Sequence, residues 1–345
     1  MAGKNKSGRV AGRSESRPVA PPHLTARRYE GPVQGLGEGL SLRADRYVAE
    51  VLGLLSRSQL KAREAVIEVE GRIAKPSRPV KDGERLVVTW TEEPPASLEP
   101  EDLPLDILYE DGRVLVVNKA QGMVTHPGAG NRRGTLANAV LGRLAAEAGG
   151  GGPPATPAPL RGGIVHRLDK DTTGLIIVAK DAEAQAFLAA QFKDRTTRKE
   201  YLAITVGIPR GGGQGGGWNR IENRLGRDSR DRKRFAEVAE GGRAAVTDWR
   251  LVASCRAAGL DLALIHLRPR TGRTHQLRVH LAGLGAPIAG DPIYGGKDRR
   301  LGELGLMLHA WKLAIVLPGC SEPVRFKAPL PAPFARLLRA MERRA

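Results

Sequence analysis

The chain has 345 residues, 41% of them hydrophobic, enough for two domains with cores of their own. Lys and Arg exceed Asp and Glu by 18, which argues against an enzyme of small neutral metabolites and for a polyanionic partner, nucleic acid first. Only 4% of residues are aromatic, too few for a broad base-stacking platform, so shape and backbone contacts would dominate. Two distant cysteines, Cys255 and Cys320, disfavour a zinc module or a disulfide framework and fit a reducing compartment. No apolar run reaches signal-peptide or membrane-span length, so a cytoplasmic protein with no membrane partner is expected.

Residues 1–39 are rich in Gly, Pro, Ser and Arg and are expected to be a disordered basic tail. A small domain is expected over 40–90. There Leu42, Val48, Val51, Leu52 and Leu55 mark an amphipathic helix, and Ser56 caps a second, short one. Strands follow at Val66–Arg72 and Arg85–Trp90, with a turn at Lys81–Glu84. Residues 91–103 are acidic and Pro-rich, the composition of a linker.

The main domain is expected over 104–333, with 334–345 as a basic C-terminal helix or tail. Ile107–Lys119 reads as strand, Asp-Gly turn, strand. Short β-rich segments with interspersed helices continue without regular strand-helix alternation, so the fold class is α+β with a mixed or antiparallel sheet. The glycine-rich stretches 149–152 and 211–217 lack phosphate-loop context and read as surface insertions. Residues 220–234 hold seven basic and three acidic residues, which suits a backbone clamp on an RNA stem-loop.

Chemistry concentrates in four polar segments set between apolar strands: 118–130, 166–174, 198–203 and 270–280. In His166-Arg167-Leu168-Asp169-Lys170-Asp171-Thr172-Thr173-Gly174 a carboxylate sits in a cationic turn before the apolar run Leu175–Ala179. Flanking Arg167 and Lys170 favour the anion, which makes Asp169 a candidate nucleophile, with Asp171 its rival. His126, His166, His275 and His280 have no ligand spacing, and His275 and His280 fall on opposite faces if their segment is a strand, so no metal is expected.

These segments resemble the RluA-type family of RNA pseudouridine synthases, and within it the group D enzymes of the large ribosomal subunit. The motifs are His166–Gly174, Lys199-Glu200-Tyr201-Leu202-Ala203, Thr271-Gly272-Arg273-Thr274-His275-Gln276-Leu277-Arg278-Val279-His280, and Gly290-Asp291-Pro292-Ile293-Tyr294-Gly295-Gly296. The likeness spans about 42–330, and residues 42–90 resemble the S4 RNA-binding module. It implies isomerisation of uridine to pseudouridine in large-subunit ribosomal RNA, in the helix 69 stem-loop, by a monomer without cofactor or metal, acting on the subunit or its precursor.

It further implies that Asp169 is the nucleophile, that Tyr201 packs against the flipped base and serves the proton transfer, and that Arg278 pairs with Asp169. Arg167 would fill the gap in the RNA stack, while Arg273, Thr274 and His275 would contact substrate or support the site. His126 would border the cleft, and Arg57, Arg224 and Arg227 would contact RNA. The alternatives are an RluA-type synthase for other ribosomal or transfer RNA uridines, and a non-catalytic RNA-binding assembly factor.

Overall fold

A computed structural model describes residues 25–92, 98–128, 131–147, 160–211, 217–231, 233–257, 259–295 and 304–343. Residues 1–24 of the expected tail, the stretch 149–152 and residues 212–216 lie outside them. The chain divides into two compact units, one up to Ser97 and one from Leu98.

The first unit runs β1 (Thr25–Pro32), β2 (Leu42–Arg43), α1 (Ala44–Arg46), α2 (Arg57–Ala62), β3 (Val66–Val69), β4 (Arg72–Ile73), β5 (Pro79–Val80) and β6 (Arg85–Glu92). Strand β1 corrects the expected tail: it pairs antiparallel with β6 along its whole length. Its side chains are mostly exposed, so the ladder and the burial of neighbouring Val33 hold it in place. The amphipathic helix is also shorter than expected, since Leu42 is in a strand and α1 passes into a π-turn over Tyr47–Val51. The wider turn leaves Val51 46% exposed while Val48 is buried. Ser56 caps α2 through a reciprocal capping box with Gln59.

The second unit runs β7 (Ile107–Glu110), β8 (Val114–Lys119), α3 (Leu136–Glu147), β9 (Thr173–Ala179), α4 (Ala182–Lys193), β10 (Arg198–Val206), β11 (Asn219–Arg227) and β12 (Phe235–Glu237). It continues with β13 (Arg243–Ala257), β14 (Leu260–Pro269), α5 (Gln276–Gly283), β15 (Leu308–Val316), β16 (Pro323–Lys327) and α6 (Ala332–Glu342). Residues 98–103, expected to be linker, are tied to α3 by the Glu101 N–H, which donates to the Asn138 carbonyl at 3.0 Å. The C-terminal helix is part of this unit, because Phe334 and Met341 enter the same core as Ile204, Trp249 and Leu267.

One ten-stranded sheet, counted among the described residues, organises the unit in the order β12, β11, β13, β14, β10, β15, β9, β8, β7, with β16 on β15. Its pairs are antiparallel except β9 with β15, so the sheet is mixed, as expected. Strand β10 takes one edge of β15, while β9 and β16 share the other, β9 at His309–Ala310 and β16 at Lys312–Val316. The site depends on this junction. Gly174 stands opposite Ala310 with φ +105°, and a Cβ there would lie 2.2 Å from the Ala310 carbonyl oxygen.

Gly174→Ala is therefore expected to cost about 3 kcal/mol or more, through backbone strain and overlap together. A urea denaturation midpoint measures it, and a loss below about 1 kcal/mol would show that the junction yields freely.

Candidate active site

The turn that carries Asp169 is held from several sides. The Thr125 hydroxyl donates to the Leu168 carbonyl at 2.8 Å, and the Gly122 N–H donates to the Lys170 carbonyl at 3.0 Å. Lys119, at the end of β8 and 1% exposed, sends its ammonium protons to the carbonyls of Ala120, Met123 and Lys170 at 2.8–2.9 Å. Burial lowers its pKa to about 8, against the pull of the Asp171 and Asp169 charges. After the turn every residue of β9 is buried, and the Thr173 hydroxyl meets His309 Nδ1 at 2.9 Å. His166 Nε2 accepts the Ile177 N–H at 3.0 Å while its ring stacks on Phe192 at 4.3 Å.

A cleft of about 410 Å³ opens over this turn. Asp169 is the only acid among its lining residues, which include seven Lys or Arg residues. Lys199 and Tyr201 enter from β10, Pro269 from the end of β14, and Arg273 to Arg278 from the loop and helix that follow. Gln276 shapes that loop: its Oε1 accepts from the Thr271 hydroxyl at 2.7 Å and the Arg273 N–H at 3.0 Å, and its Nε2 donates to the Val246 carbonyl. His275 then takes a left-handed backbone, φ 56°, at the start of α5.

Arg278 lies on helix α5, and it has two carboxylate partners. Its Nε and Nη2 donate to the two oxygens of Asp291 at 2.8 Å each, and Nη1 reaches Asp169 Oδ2 at 3.4 Å. Burial alone would lower the guanidinium pKa, yet Asp291, with help from Asp169, raises it. Burial likewise pushes Asp291 up, but Arg278 and the N–H groups of Ile293 and Tyr294 bring it below its ordinary value. In the sequence Asp291 stands in a motif with no role of its own and Lys119 ends a strand; the bond of Asp291 to Arg278 spans 13 positions and that of Lys119 to Lys170 spans 51, beyond local spacing. Tyr201 is raised far above an ordinary phenol, first by burial and then by the Asp169 charge.

The structure thus gathers Asp169, Tyr201, Arg278, Arg167, Arg273, Thr274 and His275 at one cleft. His126 is not among its lining residues, and its Nδ1 lies 3.2 Å from the Pro127 carbonyl oxygen. Arg57 belongs to the first unit, where it pairs with Asp45 at 3.2 Å. Arg224 donates to the Gly242 carbonyl at 2.8 Å, and Arg227 lies over Phe235, so the basic stretch is largely strand β11 and its hairpin. His280 bonds Thr247 and Asn223, and His275 bonds the Tyr294 hydroxyl. Among the described residues no three His, Cys, Asp or Glu side chains are arranged to hold a metal.

Burial depresses His166 to about 3 and both His280 and His309 to about 4. The folded chain therefore binds fewer protons than the unfolded chain below the ordinary histidine value of about 6.5. Stability is full above about pH 6.5 and drains as pH falls toward 4, by about 2 kcal/mol per histidine at pH 5. Denaturant midpoints from pH 7 to 5 should show it, and His166→Gln should flatten the slope. A second expectation ranks the carboxylates. Asp291→Asn should cost about 3 kcal/mol or more, because it strands a buried guanidinium, whereas Asp169→Asn should cost under about 1 kcal/mol. Thermal denaturation of the two variants separates them.

Residues 113–283 match the family model described as RNA pseudouridylate synthase. The chain is 40% identical over 280 residues to "Ribosomal large subunit pseudouridine synthase D" of Xanthomonas campestris pv. campestris, covering 78% of each. It is 37% identical to "RNA pseudouridine synthase 2, chloroplastic" of Arabidopsis thaliana, over 79% of this chain and 73% of that protein. Among solved structures, "Human RNA Pseudouridylate Synthase Domain Containing 1" aligns with TM-score 0.53 and 26% identity over 72% of this chain and 97% of its own. With the cationic cleft and its single carboxylate, these likenesses place the chain in the RNA pseudouridylate synthase family.

Proposed function

We propose that the protein isomerises uridine to pseudouridine in large-subunit ribosomal RNA, in the helix 69 stem-loop, with Asp169 as nucleophile. The observation that carries this reading is a lone carboxylate in a cationic cleft, 3.4 Å from a guanidinium that a second carboxylate anchors. The reaction breaks the N1–C1′ bond, turns the base and forms the C5–C1′ bond, while C5 gives up a proton and N1 gains one. It conserves electrons, and so asks for a nucleophile, a proton route and shelter from water.

Arg278 serves by holding the Asp169 carboxylate oriented, for which a planar, permanently charged group is suited. Tyr201 offers a ring for the displaced base and, as a neutral phenol, both a lone pair and a proton for the C5-to-N1 transfer. Arg167, exposed at the cleft, would fill the vacancy left by the uridine, offsetting a flipping cost of about a few kcal/mol. The first unit is read as an S4-like docking module, supported by its Ser56–Gln59 capping box and small antiparallel sheet. The assembly of Asp169, Tyr201 and Arg278 at one cleft counts against a non-catalytic binder, which has no use for all three.

The test is to map pseudouridines in ribosomal RNA from cells lacking this protein, complemented with wild type, Asp169→Asn or Tyr201→Phe. Wild type should restore the missing sites and Asp169→Asn should restore none. Purified Tyr201→Phe should bind RNA normally but turn over about 100-fold slower or worse. Equal restoration by Asp169→Asn would remove the nucleophile assignment. Missing sites confined to other stem-loops would move the target to another RluA-type substrate.

A further inference from the structure

The sheet of the second unit has a second polar face. Lys199, Tyr201 and Pro269 line the cleft, so by strand alternation Glu200 and Arg268 point to the opposite side. There a row of charges crosses six strands. Arg220 stands opposite Asp248, and Asp248 opposite Arg268; Arg268 meets Glu200 in a 2.9 Å ion pair; Glu200 stands opposite Lys312, and Lys312 opposite Lys327.

The signs alternate until the last step. Asp248 accepts from Arg220 and Arg270 at 2.7 Å each, and Glu200 also bonds His266 at 2.9 Å. At the end of the row, however, two lysines face each other. Arg325 lies two residues from Lys327, and Arg198 and Arg325 flank Ala314 from either side. Among the described residues none of these four cations has an ion pair. Like charges set directly opposite across strands are destabilising, so the row ends at a cost that one acid would remove.

The aromatic side chains sharpen the pattern. The irregularity between Glu200 and Tyr201 skips Trp311 on β15. The Trp311 ring sits under Lys312 Nζ at 3.8 Å and Lys327 Nζ at 5.6 Å, and its edge meets His266. Trp218, 38% exposed, carries Arg268 at 4.1 Å and Arg250 at 5.1 Å. Cation–π contact holds these groups in place, but for Lys312 and Lys327 it leaves the charge unneutralised. What the patch lacks is a dense, extended negative charge.

We propose that this face is a second RNA-binding surface that takes backbone phosphates of substrate RNA outside the segment entering the cleft. The inference rests on ribosomal RNA being the substrate, and charge complementarity selects the occupant. Phosphates would supply the missing negative end of the row, where Lys327 stands opposite Lys312.

The test measures binding, which keeps it separate from the catalytic reading. Affinity for a long, protein-free ribosomal RNA fragment and for a minimal stem-loop is titrated at several salt concentrations. The triple variant Lys312→Glu/Arg325→Glu/Lys327→Glu should bind the long RNA about tenfold or more weakly, with a salt slope shallower by about 2 to 3, and the stem-loop within about twofold of wild type. Unchanged binding of the long RNA, or equal weakening on both, would overturn the proposal. So would weakening seen only with RNA that carries ribosomal proteins. Lys327→Glu alone guards against misfolding, since it restores the alternation: its Tm should hold or rise while long-RNA affinity falls. A fall in both would assign these cations a structural role instead.

Discussion

The bidentate contact between Arg278 and Asp291 is the constraint on which the cleft depends. A guanidinium taken out of water is tolerable only if its charge and donors are met, and Asp291 meets two donors at 2.8 Å from within the core. The remaining nitrogen is thereby aimed at Asp169. Because Asp291 is itself held by the N–H groups of Ile293 and Tyr294, the orientation passes from backbone to carboxylate, to guanidinium, to the reactive group. The looser contact, at 3.4 Å, falls on Asp169, the residue proposed to engage substrate. Tight geometry sits where nothing has to move.

The same division runs through the rest of the site. Lys119, Thr125, His166 and Gln276 each hydrogen-bond backbone groups of the loops and strands that build the cleft. The groups facing the opening, Arg167 among them, are left available for ligand. Buried polar side chains thus fix the loops above the apolar cluster of Leu115, Val117, Leu168 and Ile176.

Much of this was legible in the sequence, and the failures have physical causes. The Asp-Gly hairpin, the Ser56 cap and the buried strand after Gly174 were readable because each is written in neighbouring residues. The segment Gln276–Leu281 is ambiguous in sequence, since its alternation of polar and apolar residues fits a strand as well as a helix. All six side chains are buried in a helix, the polar ones bonded internally. Strand β1 was invisible because its side chains are mostly exposed and only pairing with β6 defines it. Asp291 and Lys119 lie beyond reach for a related reason: Arg278 and the Lys170 carbonyl meet them only in the folded chain. For Arg57, Arg224 and Arg227 the sequence carries only a charge, which says little about where a side chain ends up.

The parallel junction of β9 with β15 has a consequence for biosynthesis. Thr173 stands opposite His309, so the strand that immobilises the reactive turn lies some 136 positions downstream of it. Contacts that close so large a loop form late and slowly. While the polypeptide is still being translated, the His166–Gly174 segment and the first unit have emerged, but neither Asp291 nor β15 is yet available to them. The cations Lys312, Arg325 and Lys327 come on the same late strands, so that face and the completed cleft appear together. Competence arrives as a single late event rather than by degrees.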